Sequence, residues 1–182
     1  MVNELARQGF HLVAAGSLAV LAGVLVQHWF LLLSALVLVL AAVCVYLRFW
    51  FVKRALVLFD RPDALFPGKG AFMAVLGGFF SVLLFPAHAV AGLLVLALAD
   101  SAATVVGVRW GRLCVPWSAS KTWAGVATFF VVASGVLWFF SSWWLVVALF
   151  VTVVEAGDYS SYPFLDDNVL VPLTVAASLV VF

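Results

Sequence analysis

The stretch Ala89–Val108, AVAGLLVLALADSAATVVGV, decides the fold. It is apolar almost throughout, and the exception that matters is Asp100. A helix needs roughly 20 such residues to cross the hydrocarbon core of a bilayer. The apolar residues are continuous rather than alternating, which favours a helix over a barrel strand. A backbone in lipid must also close its hydrogen bonds within its own segment. The stretch therefore reads as a membrane helix that carries a carboxylate.

The rest of the chain agrees with that reading. Of its 182 residues, 67% are hydrophobic and 9% charged, against roughly 25% charged in an ordinary soluble domain. A globule of this length has too little interior to hide so much Val, Leu, Ala and Phe. A soluble enzyme, a nucleic-acid binder and a disordered regulator are excluded together. The expected class is an all-α integral membrane protein forming one domain over residues 1–182, with about seven transmembrane helices. The candidate spans are 10–26, 29–47, 71–85, 89–108, 123–140, 143–156 and 169–182. The third, sixth and seventh are short, which calls for tilt, local thinning or re-entrant packing. The first has no small-residue cleavage site and is not read as a signal peptide.

Charge placement gives an orientation. Glu4 and Arg7 precede the first span, and Arg48, Lys53, Arg54, Asp60, Arg61, Asp63 and Lys69 lie between the second and third. Arg109, Arg112 and Lys121 separate the fourth and fifth, while Asp158, Asp166 and Asp167 separate the sixth and seventh. Asp100 and Glu155 sit toward the span ends that feed those loops. The opposite connections, Gln27-His28, Pro86-Ala87-His88 and Ser141-Ser142, carry no Asp, Glu, Lys or Arg. The positive-inside rule then puts the N-terminus and the polar site at the cytoplasmic face, and Trp29, Trp143 and Trp144 at the far interface. Plasma membrane and endoplasmic reticulum read alike. Cys44 and Cys114 show no pairing pattern and read as free thiols.

Three groups of residues have the types that chemistry needs. Asp100 lies ~10 Å of helix inside the loop at Arg109, where a carboxylate costs a few kcal/mol unless it meets a partner or a polar cavity. It reads as a metal ligand, as a base acting on a hydroxyl delivered from the membrane, or as a structural pair with Arg109 or His11. Gly107-Val-Arg109-Trp-Gly111-Arg112, followed by Lys121-Thr122-Trp-Ala-Gly125, suits a phosphate site. Backbone N–H groups at a helix start and a lysine ammonium both favour anions. The bland alternative is a basic loop with a snorkelling lysine. Gly68-Lys69-Gly70 offers a second, weaker phosphate contact. Glu155, Asp166, Asp167 and Asn168 present oxygens able to hold Mg²⁺, although Asp166 and Asp167 also suit a helix cap. Pro172 allows a break in the first turns of the last span.

Four blocks together resemble the CTP-dependent polyprenol kinase family, which includes dolichol and phytol kinases. Glu4-Leu-Ala-Arg7-Gln8-Gly-Phe-His11 resembles that family's Glu-x-x-Arg-Lys-x-x-His, and Pro67-Gly68-Lys69-Gly70-Ala its Pro-Gly-Lys/Arg-Gly-Ala. Asp100-Ser-Ala-Ala-Thr-Val-Val-Gly107-Val-Arg109-Trp-Gly111 with Lys121-Thr-Trp-Ala-Gly125 is similar to Asp-Gly-x-Ala-x-x-x-Gly-x-x-x-Gly followed by Lys-Ser-x-x-Gly. Asp166-Asp167-Asn168-Val-Leu-Val-Pro172-Leu resembles Asp-Asp-Asn-Leu-x-x-Pro-Leu. The blocks fall in family order. Gln8, Ser101 and Thr122 depart from the pattern.

The resemblance implies transfer of the γ-phosphate of CTP to the terminal hydroxyl of an isoprenoid alcohol, with Mg²⁺, giving a polyprenyl monophosphate and CDP. On that basis Lys121, Thr122, Arg109, Gly111, Arg112, Gly68 and Lys69 are expected at the nucleotide. Asp166, Asp167, Glu155 and Asn168 are expected at the metal, Asp100 and Lys121 in catalysis, and Arg7 and His11 are further candidates. Partners are CTP, the alcohol and the lipid bilayer. Two other classes remain open. One is a cytidylyltransferase making a CDP-lipid, although Asp60-Arg61-Pro62-Asp63 sits too early for that family's signature. The other is a transporter or scaffold, although no inverted repeat is visible.

Overall fold

The computed structural model describes residues 4–46, 66, 68–118, 120–159, 162 and 166–182. The expected charges at Arg48, Lys53, Arg54, Asp60, Arg61 and Asp63 lie outside the described residues, as does Pro67. Among the described residues seven helices form: α1 (Glu4–Val24), α2 (Gln27–Tyr46), α3 (Lys69–Leu84), α4 (Ala89–Trp110), α5 (Trp123–Leu137), α6 (Trp144–Glu155) and α7 (Asp167–Val181). Among the described residues there is no strand, only an isolated bridge between Cys114 and Thr122.

Each helix grows from one of the seven apolar runs, and the edges carry the differences. α1 starts six residues before the expected span, so Arg7 and Gln8 are helical rather than preceding a helix, and His11 is helical as expected. Among the described residues, only α4 and the Gln27–Cys44 portion of α2 are long and apolar enough to cross a membrane. α3, α5, α6 and α7 are shorter apolar helices. α6, with 12 residues, reaches only ~18 Å at 1.5 Å per residue. Among the described residues the expected seven spans are thus seven helices, two of which have spanning length and composition.

α4 is the central element. α1 packs along it, α5 against its C-terminal half, and α7 against its N-terminal half. α7 also contacts α3 and α6, while α2 packs on α3 at the edge. Val95, Leu96, Phe129, Leu137, Val147, Val151, Val171 and Val175 are fully buried where these helices meet. The buried share is 61% in the apolar window of α4 and 11% in that of α2. Much of the outer surface is therefore apolar, including Leu32, Leu36, Val39 and Leu40 on α2.

Close approach of α7 depends on two glycines. A Cβ on Gly92 would lie 2.4 Å from the Pro172 oxygen, and one on Gly77 would lie 2.4 Å from the Asn168 oxygen. Pro172 lacks the N–H that would bond the Asn168 carbonyl four residues earlier. The freed oxygen is the one that faces Gly77. Pro172 consequently sits inside a continuous α7 and does not break it. Within α4, Leu96–Asp100 winds as a π-helical turn, which ends on Asp100. Such turns insert extra backbone into a helix and often occur at functional sites.

Candidate functional site, a lysine seated among three carboxylates

Mid-α4, the connection before α5, the end of α6 and the start of α7 bring Asp100, Lys121, Glu155 and Asp167 together. Asp100 closes the π turn of α4 and keeps 13% of its side-chain surface exposed. Glu155 is the last residue of α6 and is buried, at 4% exposure. Asp167 opens α7, where the positive end of the helix dipole favours a carboxylate. Oxygens from these three side chains lie within 4.8 Å of one another.

Lys121 reaches this group from the connection between α4 and α5. Val115 N–H donates to the Lys121 carbonyl at 3.0 Å, and Trp123 N–H to that of Leu113 at 3.0 Å, which folds the connection back on itself. The Trp117 indole N–H donates to the Ala156 carbonyl at 2.7 Å and ties the connection to the end of α6. The Lys121 ammonium then donates to the Glu155 main-chain oxygen at 2.6 Å and to Asp167 Oδ2 at 3.2 Å. It also donates to Glu155 Oε1. Burial pulls the ammonium toward deprotonation, but the charges of Asp167 and Glu155, the Glu155 hydrogen bond and Asp100 outweigh it. Lys121 is accordingly held above the ordinary lysine value and stays charged.

His11 and Asp166 flank the group. His11 Nε2, on α1, lies 3.3 Å from Asp100 Oδ2. Asp166 is the N-cap of α7: its Oδ1 accepts from Asn168 N at 3.1 Å and from Asn168 Nδ2 at 2.7 Å. Its Oδ2 lies 3.4 Å from Lys69 Nζ. Burial, and next the charge of Asp167, push the Asp166 carboxyl up from its ordinary value. Adjacent carboxylates on one turn thus have separate partners, Asp167 with Lys121 and Asp166 with Lys69.

The remaining expected residues sit apart from this core. Arg109 and Arg112 are exposed; the Arg109 guanidinium lies 5.4 Å from the centre of the Trp110 ring. Thr122 caps α5, accepting from Gly125 N at 3.2 Å. A Cβ on Gly111 would lie 2.4 Å from Thr122 Oγ1, so this glycine lets α4 end against the start of α5. Gly68 precedes α3 with a positive φ of 82°, a conformation that suits glycine. Arg7 lies one turn before His11 on α1.

Two buried oxygens in the region have no hydrogen-bond partner among the described residues, Glu155 Oε2 and Asn168 Oδ1. Buried polar atoms are normally satisfied, so each marks an interaction that other groups can complete. Three anionic oxygen donors plus an unsatisfied buried carboxylate oxygen fit a hard cation such as Mg²⁺. The fitting set is Asp100, Glu155 and Asp167; Asp166 is engaged by its cap and Lys69.

No protein-family model matches the chain, and no solved structure matches it. Relatives do exist among known proteins. The chain is 31% identical over 183 residues to "Uncharacterized protein MJ1137" of Methanocaldococcus jannaschii, an alignment covering 96% of this chain and 92% of that one. It belongs to the family of that archaeal protein. It is also 37% identical over 107 residues to a Synechocystis protein named phytol kinase, covering 54% of this chain and 46% of the relative. A maize protein named probable chloroplastic phytol kinase is 31% identical over 142 residues, covering 67% and 45%. The chain spans about half the length of these two relatives.

Proposed function

We propose that this protein is a membrane-embedded lipid kinase that moves the γ-phosphate of CTP to the terminal hydroxyl of an isoprenoid alcohol. The observation that carries the reading is the convergence of Asp100, Lys121, Glu155 and Asp167 at one end of the bundle. The partial homology to proteins named phytol kinase gives that convergence its reaction class. The apolar surface of α2 and the spanning length of α2 and α4 support placement in a bilayer. The clustering of Lys and Arg on one side supports a site that faces the cytoplasm, in either the plasma membrane or the endoplasmic reticulum.

Phosphoryl transfer asks a protein mainly for positioning and charge neutralisation. Arg109, Arg112, Lys69 and Lys121 supply cations for the donor's phosphates, with Gly68, Gly111 and Thr122 shaping the backbone beside them. Asp100, Glu155 and Asp167 would hold Mg²⁺, with Asn168 and Asp166 behind them. When bound, the ion neutralises charge on the β- and γ-phosphates. The acceptor oxygen forms the new bond to the γ-phosphorus, the bond to the β-phosphate bridge breaks, and CDP leaves. The hydroxyl proton passes to the Asp100–His11 pair, whose facing atoms lie 3.3 Å apart. Arg7, one turn before His11 on α1, lies at the edge of this arrangement.

The test uses membranes holding the protein, CTP labelled at the γ-phosphate, and either phytol or a long polyprenol. Label in the lipid product supports the proposal. Label released as pyrophosphate supports a cytidylyltransferase instead. Label in neither product leaves the transporter or scaffold class.

A further inference from the structure

We infer that Lys121 is an internal cation that a divalent metal ion displaces, so that lysine and metal occupy the carboxylate group by turns. The inference rests on the divalent-cation site of the proposed function and not on the identity of the alcohol or nucleotide.

An ammonium has three N–H donors, and Lys121 has three acceptors in place: the Glu155 carbonyl, Glu155 Oε1 and Asp167 Oδ2. Seated in this way it has no donor left for a phosphate. Two of those acceptors belong to the side chains that would ligate a metal. All three carboxylates lie within 4.8 Å of one another, so a second cation in that space would sit in direct repulsion with the ammonium. Lys121 contacts two of the three carboxylates, His11 faces the third, and the buried Glu155 Oε2 stays without a partner among the described residues. A divalent ion would give that oxygen its partner.

Lysine has a flexible four-carbon stem, and here it starts from a connection at the polar end of the bundle. Once displaced, its ammonium is free for the anionic phosphates that accompany the metal. Metal and phosphates then bind with positive coupling: each stabilises the lysine position that the other needs. Without phosphates, Lys121 competes against the metal.

The experiment uses the full chain in lipid nanodiscs, with Mn²⁺ as the probe, titrated by electron paramagnetic resonance. Lys121→Met should bind Mn²⁺ at least tenfold more tightly than the unmodified protein when no nucleotide is present. Lys121→Arg, which keeps the charge, should stay within about threefold of it. Should Lys121→Met fail to fold, amine acylation of the unmodified protein gives an independent reading by peptide mass spectrometry. Labelling of Lys121 should rise several-fold on Mn²⁺ saturation while that of Lys69 holds. Equal or weaker Mn²⁺ binding by a folded Lys121→Met, no Mn²⁺ binding at all, or unchanged Lys121 labelling overturns the inference. Neither readout requires turnover, so a chain that phosphorylates no alcohol can still pass both.

Discussion

Lys121 and Glu155 are joined twice, through the carboxylate and through the main-chain oxygen at 2.6 Å. The side-chain pair fixes charge, and the main-chain bond fixes position. Together with Trp117 on the Ala156 oxygen, it seats the α4–α5 connection against the end of α6. Removing the ammonium leaves Glu155 and Asp167 without their shared cation. Breaking a fully buried pair from one side costs about 3–5 kcal/mol. Lys121 keeps 19% of its side-chain surface exposed, so the cost for Lys121→Met should be nearer 2 kcal/mol. Millimolar Mg²⁺ should recover most of the lost thermal stability in that variant and little in the unmodified protein. Thermal unfolding with and without the ion checks this; equal shifts in both proteins count against it.

Asp100 is where the chemistry is most sensitive. Asp100→Asn keeps the shape and removes the charge that faces His11 and the other carboxylates. Turnover should fall by about 10³-fold, within the range typical of a lost acid–base group, with expression and helical content unchanged. Near-normal kinase activity in a folded Asp100→Asn removes the residue from the reaction.

Arg109 and Arg112 are exposed, so they should act on binding rather than on the chemical step. Arg109→Gln and Arg112→Gln should each raise KM for CTP about five- to tenfold, with kcat within twofold. The effect should shrink as salt rises, because exposed charges are screened. A fall in kcat at constant KM would place them at the reacting phosphate instead.

Glycine positions give a stability test independent of function. Gly92→Ala sets a Cβ 2.4 Å from the Pro172 oxygen and 2.9 Å from the Pro172 Cα. The helices must separate, so a loss of at least 2 kcal/mol is expected. Gly135, on α5, has nothing within 4 Å of the same atom. Gly135→Ala should be neutral or stabilising by up to about 1 kcal/mol through helix propensity. Denaturation of the two variants side by side reads the contrast.

The helices were legible in the sequence because each grows from a continuous apolar run; the sixth, expected over 143–156, forms as Trp144–Glu155. Periodicity says nothing about how those helices meet. Lys121 stands near Arg109 and Arg112 in the chain and reads with them as a phosphate contact, whereas packing seats it on acids 34 and 46 residues away. Asp166 and Asp167 read as equivalent ligands because they are adjacent. Asp166 is the extended N-cap and Asp167 the first helical residue, and that change of backbone gives them different lysines. The π turn that ends on Asp100 leaves no mark in LALAD that an α-helix would not share. Gly77 and Gly92 were visible as small residues, but only the α7 crossing shows what they admit.

The most direct test of the central claim is the mass spectrum of the lipid product made by the purified, nanodisc-embedded protein from CTP, Mg²⁺ and phytol. The account predicts phytyl monophosphate with CDP in equal amount, and about 10³-fold slower formation of both by Asp100→Asn. A CDP-lipid with pyrophosphate, or unchanged phytol beside intact CTP across a range of isoprenoid chain lengths, would contradict it.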